Sequence, residues 1–121
     1  MNMNKFFFTG NLTRDVDLRY TADGRALAKI DIAVNGSYKD KAGEKQETVN
    51  YFRLTCWDKP AEAHAEYLGK GSRIRVEGHM KNDNYEKESG QKVYGIEFIV
   101  DEVEYLSSKK GVKEKGGDFT V

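Results

Sequence analysis

The sequence predicts an all-β fold, a five-stranded Greek-key barrel with one short helix between the third and fourth strands. Three observations lead there. Apolar residues alternate with polar ones in several short runs, clearest where Ala28, Ile30, Ile32 and Val34 interleave with Lys29, Asp31 and Ala33. Only one stretch changes to helical spacing, where Ala61, Ala65 and Leu68 fall four and three residues apart. The order is extended segments, then that helix, then two further extended segments.

In chain order, Lys5 to Leu12 opens as an aromatic-rich strand containing Phe6, Phe7 and Phe8. Side chains of successive strand residues point to opposite faces, so at least one of these rings points away from the core. Leu18 to Thr21 continues extended, and Asp23-Gly24 marks a tight turn into the strand Ala26 to Val34. Asn35 to Glu47 reads as a polar loop carrying Tyr38, and Thr48 to Trp57 as the third strand. Pro60 suits a first helical turn, and Gly69 and Gly71 supply a stop, giving a helix of roughly ten residues. Arg73 to Met80 alternates again, Lys81 to Lys92 reads as a second polar loop carrying Tyr85, and Val93 to Leu106 forms the last strand. This order is that of an OB-fold, whose binding surface uses strands two and three and the loops joining strands one–two and four–five. An SH3-like barrel would lack the helix, and a ferredoxin-like fold would need two.

The chain has 121 residues with 20 basic and 20 acidic side chains, enough length for one domain with a core that needs no disulfide staples. No apolar run approaches a membrane span or a secretory leader, so a cytoplasmic location and no membrane partner are expected. The single cysteine, Cys56, lies on the core-pointing side of its strand, as a small hydrophobe in a reducing compartment would. Lys109, Lys110, Lys113 and Lys115 crowd the last fifteen residues against Glu114 and Asp118, which leaves the body slightly acidic. Residues 1–106 are therefore expected to form the domain and 107–121 a disordered, lysine-rich tail.

The strand Thr48–Trp57 carries the chemistry. Phe52, Leu54 and Cys56 make one face, while Tyr51, Arg53, Thr55 and Trp57 make the other. Two aromatics interleaved with a cation suit the stacking of unpaired bases with a phosphate between them. The same pattern also suits a second core or a subunit interface.

Wider motifs bear on that choice. Gly10-Asn11-Leu12, Leu18-Arg19-Tyr20-Thr21, Ala33-Val34-Asn35, Tyr38-Lys39-Asp40-Lys41, Phe52-Arg53, Glu66-Tyr67-Leu68, Lys70-Gly71-Ser72, Val76-Glu77-Gly78, Gly90-Gln91 and Tyr94 stand in order across residues 2 to 106. Together they resemble the bacterial single-stranded DNA-binding protein family. The resemblance implies base stacking by Tyr38, Tyr51, Trp57 and Tyr85, and phosphate contacts by Arg53, Lys59 and Lys70. It also implies a homo-oligomer, a tetramer or at least a dimer, acting in replication, recombination or repair without a cofactor. Two departures stand out. Lys81-Asn82-Asp83-Asn84-Tyr85 carries one lysine and an added carboxylate where the family is basic. The end, Gly117-Asp118-Phe119-Thr120-Val121, lacks an acidic tip that would recruit other enzymes, which resembles a phage- or plasmid-encoded version.

Other chemistry is thinly supported. His64, His79 and Cys56 are too scattered for a zinc site, and Asp15 and Asp17 flank a turn where aspartate serves the backbone. Gly69-Lys70-Gly71-Ser72 follows a helix instead of preceding one, unlike a phosphate-binding loop. The expectation is thus a non-catalytic protein that coats single-stranded DNA. The alternatives are an accessory OB-fold protein of a replication complex and a metal-dependent nuclease.

Overall fold

The computed structural model describes residues 1–107 and the backbone of 119 and 120. The tail expectation for 107–121 thus falls almost wholly outside the described residues. The elements run Phe6–Leu12 (β1), Asp17–Tyr20 (β2), Ala26–Lys39 (β3), Lys45–Trp57 (β4), Asp58–Tyr67 (α1), Arg73–Asn82 (β5), Tyr85–Glu86 (β6), Lys92–Val93 (β7), Ile96–Tyr105 (β8) and Phe119–Thr120 (β9).

Five strands close a barrel in the order β1-β5-β8-β4-β3 and back to β1, with β2 alongside β3. This is the Greek-key OB arrangement, with the helix between the third and fourth barrel strands as expected. The closure is uneven. β3 and β4 pair without interruption from Leu27↔Trp57 to Lys39↔Lys45. β1–β3 and β4–β8 are joined by only two residue pairs each, Asn11↔Ala33 with Leu12↔Ile32, and Leu54↔Phe98 with Thr55↔Ile99. At the first of these seams Gly10 is indispensable: a Cβ there would lie 2.4 Å from the Ala33 carbonyl oxygen.

The core is filled by apolar residues that alternation assigned inward, among them Ile30, Ile32, Leu54, Ile74 and Val76, together with Val103 and Tyr105 of β8. Phe8 stacks on Phe52 at 4.2 Å between ring centres, and Phe98 meets Phe52 edge-on at 5.6 Å. The helix buries Ala61 and His64 with Leu68 at its end, whereas the spacing had suggested Ala65. His64 is tolerated there because its Nδ1 shares a 2.7 Å hydrogen bond with the Tyr105 hydroxyl. Burial pulls the imidazole down to about 4, so it is neutral near pH 7, and it pushes the Tyr105 phenol up. Cys56 is buried, with its thiol pushed up to about 11 by desolvation, so it is protonated and unreactive.

The first expected loop is largely strand and the second partly so. The β3–β4 ladder continues through Asn35–Lys39 and Lys45–Glu47 and turns only at Asp40–Glu44. There the Asp40 amide donates to the Glu44 carbonyl, while Asp40 Oδ1 accepts from the amides of Ala42 and Glu44. The second loop contains a small β6–β7 hairpin, Tyr85↔Val93 and Glu86↔Lys92, so the last barrel strand starts at Ile96 and not at Val93.

Candidate nucleic-acid interface

The uninterrupted β3–β4 register decides which side chains share a face. Leu27, Lys29, Asp31 and Ala33 lie opposite Trp57, Thr55, Arg53 and Tyr51 on the outer side of the barrel. Tyr51 is 72% exposed, and Trp57 sits six residues along the strand, about 20 Å away at strand rise. Between the two rings lie two polar clusters. In one, Lys29 Nζ donates to Thr55 Oγ1 at 2.7 Å and lies 3.8 Å from Glu97. In the other, Arg53 grips both oxygens of Asp31 at 2.8 and 3.2 Å, and Arg14 Nε reaches Asp31 Oδ2 at 2.7 Å. Hydrogen bonding by the Arg53 guanidinium, aided by its charge and that of Arg14, lowers the Asp31 carboxyl. It is ionised at neutral pH.

Trp57 is half-buried and is not an open platform. The Arg25 guanidinium lies 4.5 Å from its ring centre, a cation–π contact, and is held there by two hydrogen bonds to Asp58 at 3.1 and 3.0 Å. Asp58 opens the helix with a positive φ of 66°, a conformation in which a non-glycine residue is uncommon. The ion pair lowers the Asp58 carboxyl, chiefly through the hydrogen bonds from Arg25.

Tyr38 stands on the projecting β3–β4 arm, 56% exposed; strand alternation puts it on the opposite face from Tyr51. Tyr85, also 56% exposed, extends from the β6–β7 hairpin on the far side of the β4–β8 seam. Lys59 is exposed in the first turn of α1, close in sequence to Trp57. Lys70 is exposed beyond the helix, and its amide donates to Asp15 Oδ1, tying it to the β1–β2 turn. The structure therefore groups Tyr51, Arg53 and Trp57 on one face and distributes Tyr38, Tyr85, Lys59 and Lys70 around it.

Sequence reasoning missed Arg14, Arg25, Asp31 and Asp58, which occupy that face or its rim, and the exposed Tyr94. Arg75 of β5 is committed elsewhere, paired with Glu104 on β8. Among the described residues no three of His, Cys, Asp and Glu gather as a metal site, and no helix is long and apolar enough to cross a membrane.

Comparison with known proteins bears on the family and the fold. The model of the single-strand binding protein family matches residues 3–106. The chain is 38% identical over 117 residues to a single-stranded DNA-binding protein of Bacillus cereus, covering 97% of this chain and 68% of that protein. It is 40% identical over 115 residues to single-stranded DNA-binding protein B of Bacillus subtilis, covering 95% of this chain and 98% of that one. Among solved structures it resembles a deletion variant of the single-stranded DNA binding protein from Thermus aquaticus, with a TM-score of 0.75 and 26% identity. That match covers 97% of this chain and 54% of the other, so the chain spans about half the length of that relative.

Proposed function

Because the chain belongs to the single-strand binding protein family, we propose that it binds single-stranded DNA without regard to sequence and performs no catalysis. The observation that carries this is the exposed Tyr51 beside a two-arginine cluster on the outer β3–β4 face of an OB barrel. Every base presents a π-face to such a ring, while duplex bases are already stacked on one another. Tyr38 and Tyr85 extend the path on either side, Arg53, Lys59 and Lys70 supply phosphate contacts, and Trp57 contributes once Arg25 moves aside or lends its own guanidinium plane to a base. Coating a strand in this way serves replication, recombination and repair alike. In a gel shift with Mg²⁺ present, oligo-dT should be retained intact and duplex DNA of equal length should not. Equal retention of duplex, or cleavage of the oligonucleotide, would overturn this function. The similarity to a Bacillus subtilis protein of nearly the same length leaves a phage or plasmid source without specific support.

Self-association belongs to the same proposal. Phe7 is 68% exposed on β1, and from Phe6 to Gly10 that strand pairs with β5 along one edge only. An apolar ring on an unpaired edge is the arrangement that a second copy covers, by strand pairing or by packing. Two such dimers would make the tetramer. Light scattering should give a multiple of 13.8 kDa at micromolar concentration, and Phe7→Glu should lower that mass. A monomer in the unaltered chain would overturn this part of the reading.

A further inference from the structure

We propose that Arg14 joins Arg53 as a phosphate clamp beside Tyr51, and that Asp31 is the clamp's built-in competitor. The inference rests on the single-strand binding proposed above. Arg14 lies in the β1–β2 turn, which is pinned to β3 where the Thr13 amide donates to the Asp31 carbonyl at 2.9 Å. That bond brings a residue distant in sequence to the same carboxylate that Arg53 holds. Oδ2 of Asp31 accepts from both Arg14 Nε and Arg53 Nη2, so one anion occupies donors of both guanidinium groups.

The arrangement contributes little to folding. Both arginine side chains are more than half exposed, and such surface pairs stabilise by only about 0–1 kcal/mol. It does matter for a ligand, because Asp31, Arg53 and Tyr51 line a cleft of about 300 Å³ with Thr13, Ile32 and Phe52. A base stacked on Tyr51 places its phosphates within reach of the same donors. Carboxylate and phosphate seek the same planar fork of N–H groups, and they cannot fill it together. Binding here is an exchange of one anion for another. Two guanidinium groups and one carboxylate leave a single net positive charge for the backbone, whereas the arginines alone would offer two. Asp31 thus holds down both the affinity and the salt response of this face, in a protein whose net charge is already zero.

The test is oligo-dT binding across a salt series for the unaltered chain, Asp31→Asn, Arg14→Ala and the double variant, with circular dichroism as the check on folding. Asp31→Asn keeps the shape and removes the charge. It should bind about three- to tenfold more tightly at low salt, with the slope of log K against log salt steeper by about 0.7 for the one further phosphate neutralised. Arg14→Ala should bind several-fold more weakly with a shallower slope, and in the double variant the gain should largely vanish. A folded Asp31→Asn protein with equal or weaker binding, or an unchanged slope, would show that the carboxylate only positions the arginines, and would overturn the inference. If the unaltered chain fails to retain oligo-dT, the functional reading itself falls and the clamp with it.

Discussion

Replacing Tyr38, Tyr51 and Tyr85 together by alanine is expected to abolish retention of oligo-dT at protein concentrations that saturate the unaltered chain, with little change in thermal stability. All three rings are more than half exposed, so they contribute little to the core. Each stacked base is worth about 1–3 kcal/mol, and sites far apart with no shared partners lose their contributions roughly additively. Even the lower end of that range weakens binding by about a hundredfold across three positions. Fluorescence titration and a melting curve on the same preparation separate the two effects. Undiminished affinity in a folded triple variant would move the stacking surface elsewhere on the barrel.

Gly78→Ala should have the largest effect on stability, a loss of about 3 kcal/mol or more, a large share of the roughly 5–15 kcal/mol that holds a domain folded. The ladder between β5 and β8 shifts register between Glu77 and Gly78: Glu77 faces Glu102 while Gly78 faces Val100, with Asp101 left over as a bulge. That shift presses the β8 backbone against Gly78. An added Cβ would sit 1.9 Å from the Ile99 carbonyl oxygen and 2.7 Å from the Phe6 ring. The carbonyl cannot give way without breaking the ladder, and Phe6 is buried in the core. Urea denaturation compares the two proteins directly, and a variant within about 1 kcal/mol of the original would mean that the bulge relaxes freely.

The element order was legible in the sequence because it depends on local periodicity. Alternation in Ala28–Val34 and the change to helical spacing after Pro60 are properties of a few neighbouring residues, and the barrel strands appear in the expected order, though with other ends. The arm of the β3–β4 hairpin was not legible. Asn35–Lys39 and Lys45–Glu47 project beyond the core and are almost entirely exposed, so no inward apolar set marks them as strand. The β6–β7 hairpin escaped for the same reason. His64 was missed because a polar residue looks like a break in an apolar stripe until its partner, Tyr105, 41 residues away, comes into view.

Within the site, Tyr51, Arg53 and Trp57 could be grouped from one strand alone. Asp31, Arg14, Arg25 and Asp58 could not, since each acts through a partner at least 17 residues away. One signal was present for Asp31. Centring the hairpin turn on Lys41-Ala42-Gly43 brings Asp31 directly opposite Arg53. Reading the whole of Asn35–Glu47 as loop left that register undefined.

The two narrow seams of the barrel have a mechanical consequence. β2, β3 and β4 form one leaf and β1, β5 and β8 the other, hinged where β1 meets β3 and where β4 meets β8, with two residue pairs at each hinge. Tyr38, Tyr51, Arg53 and Trp57 ride on the first leaf, while Tyr85 hangs from the hairpin that follows β5 on the second. On the proposed binding path, a DNA strand stacked on both leaves would act as a clasp across a hinge joined by only two residue pairs. Its grip would then oppose parting of the two leaves, and the nucleic acid would serve as a strut of the domain that holds it.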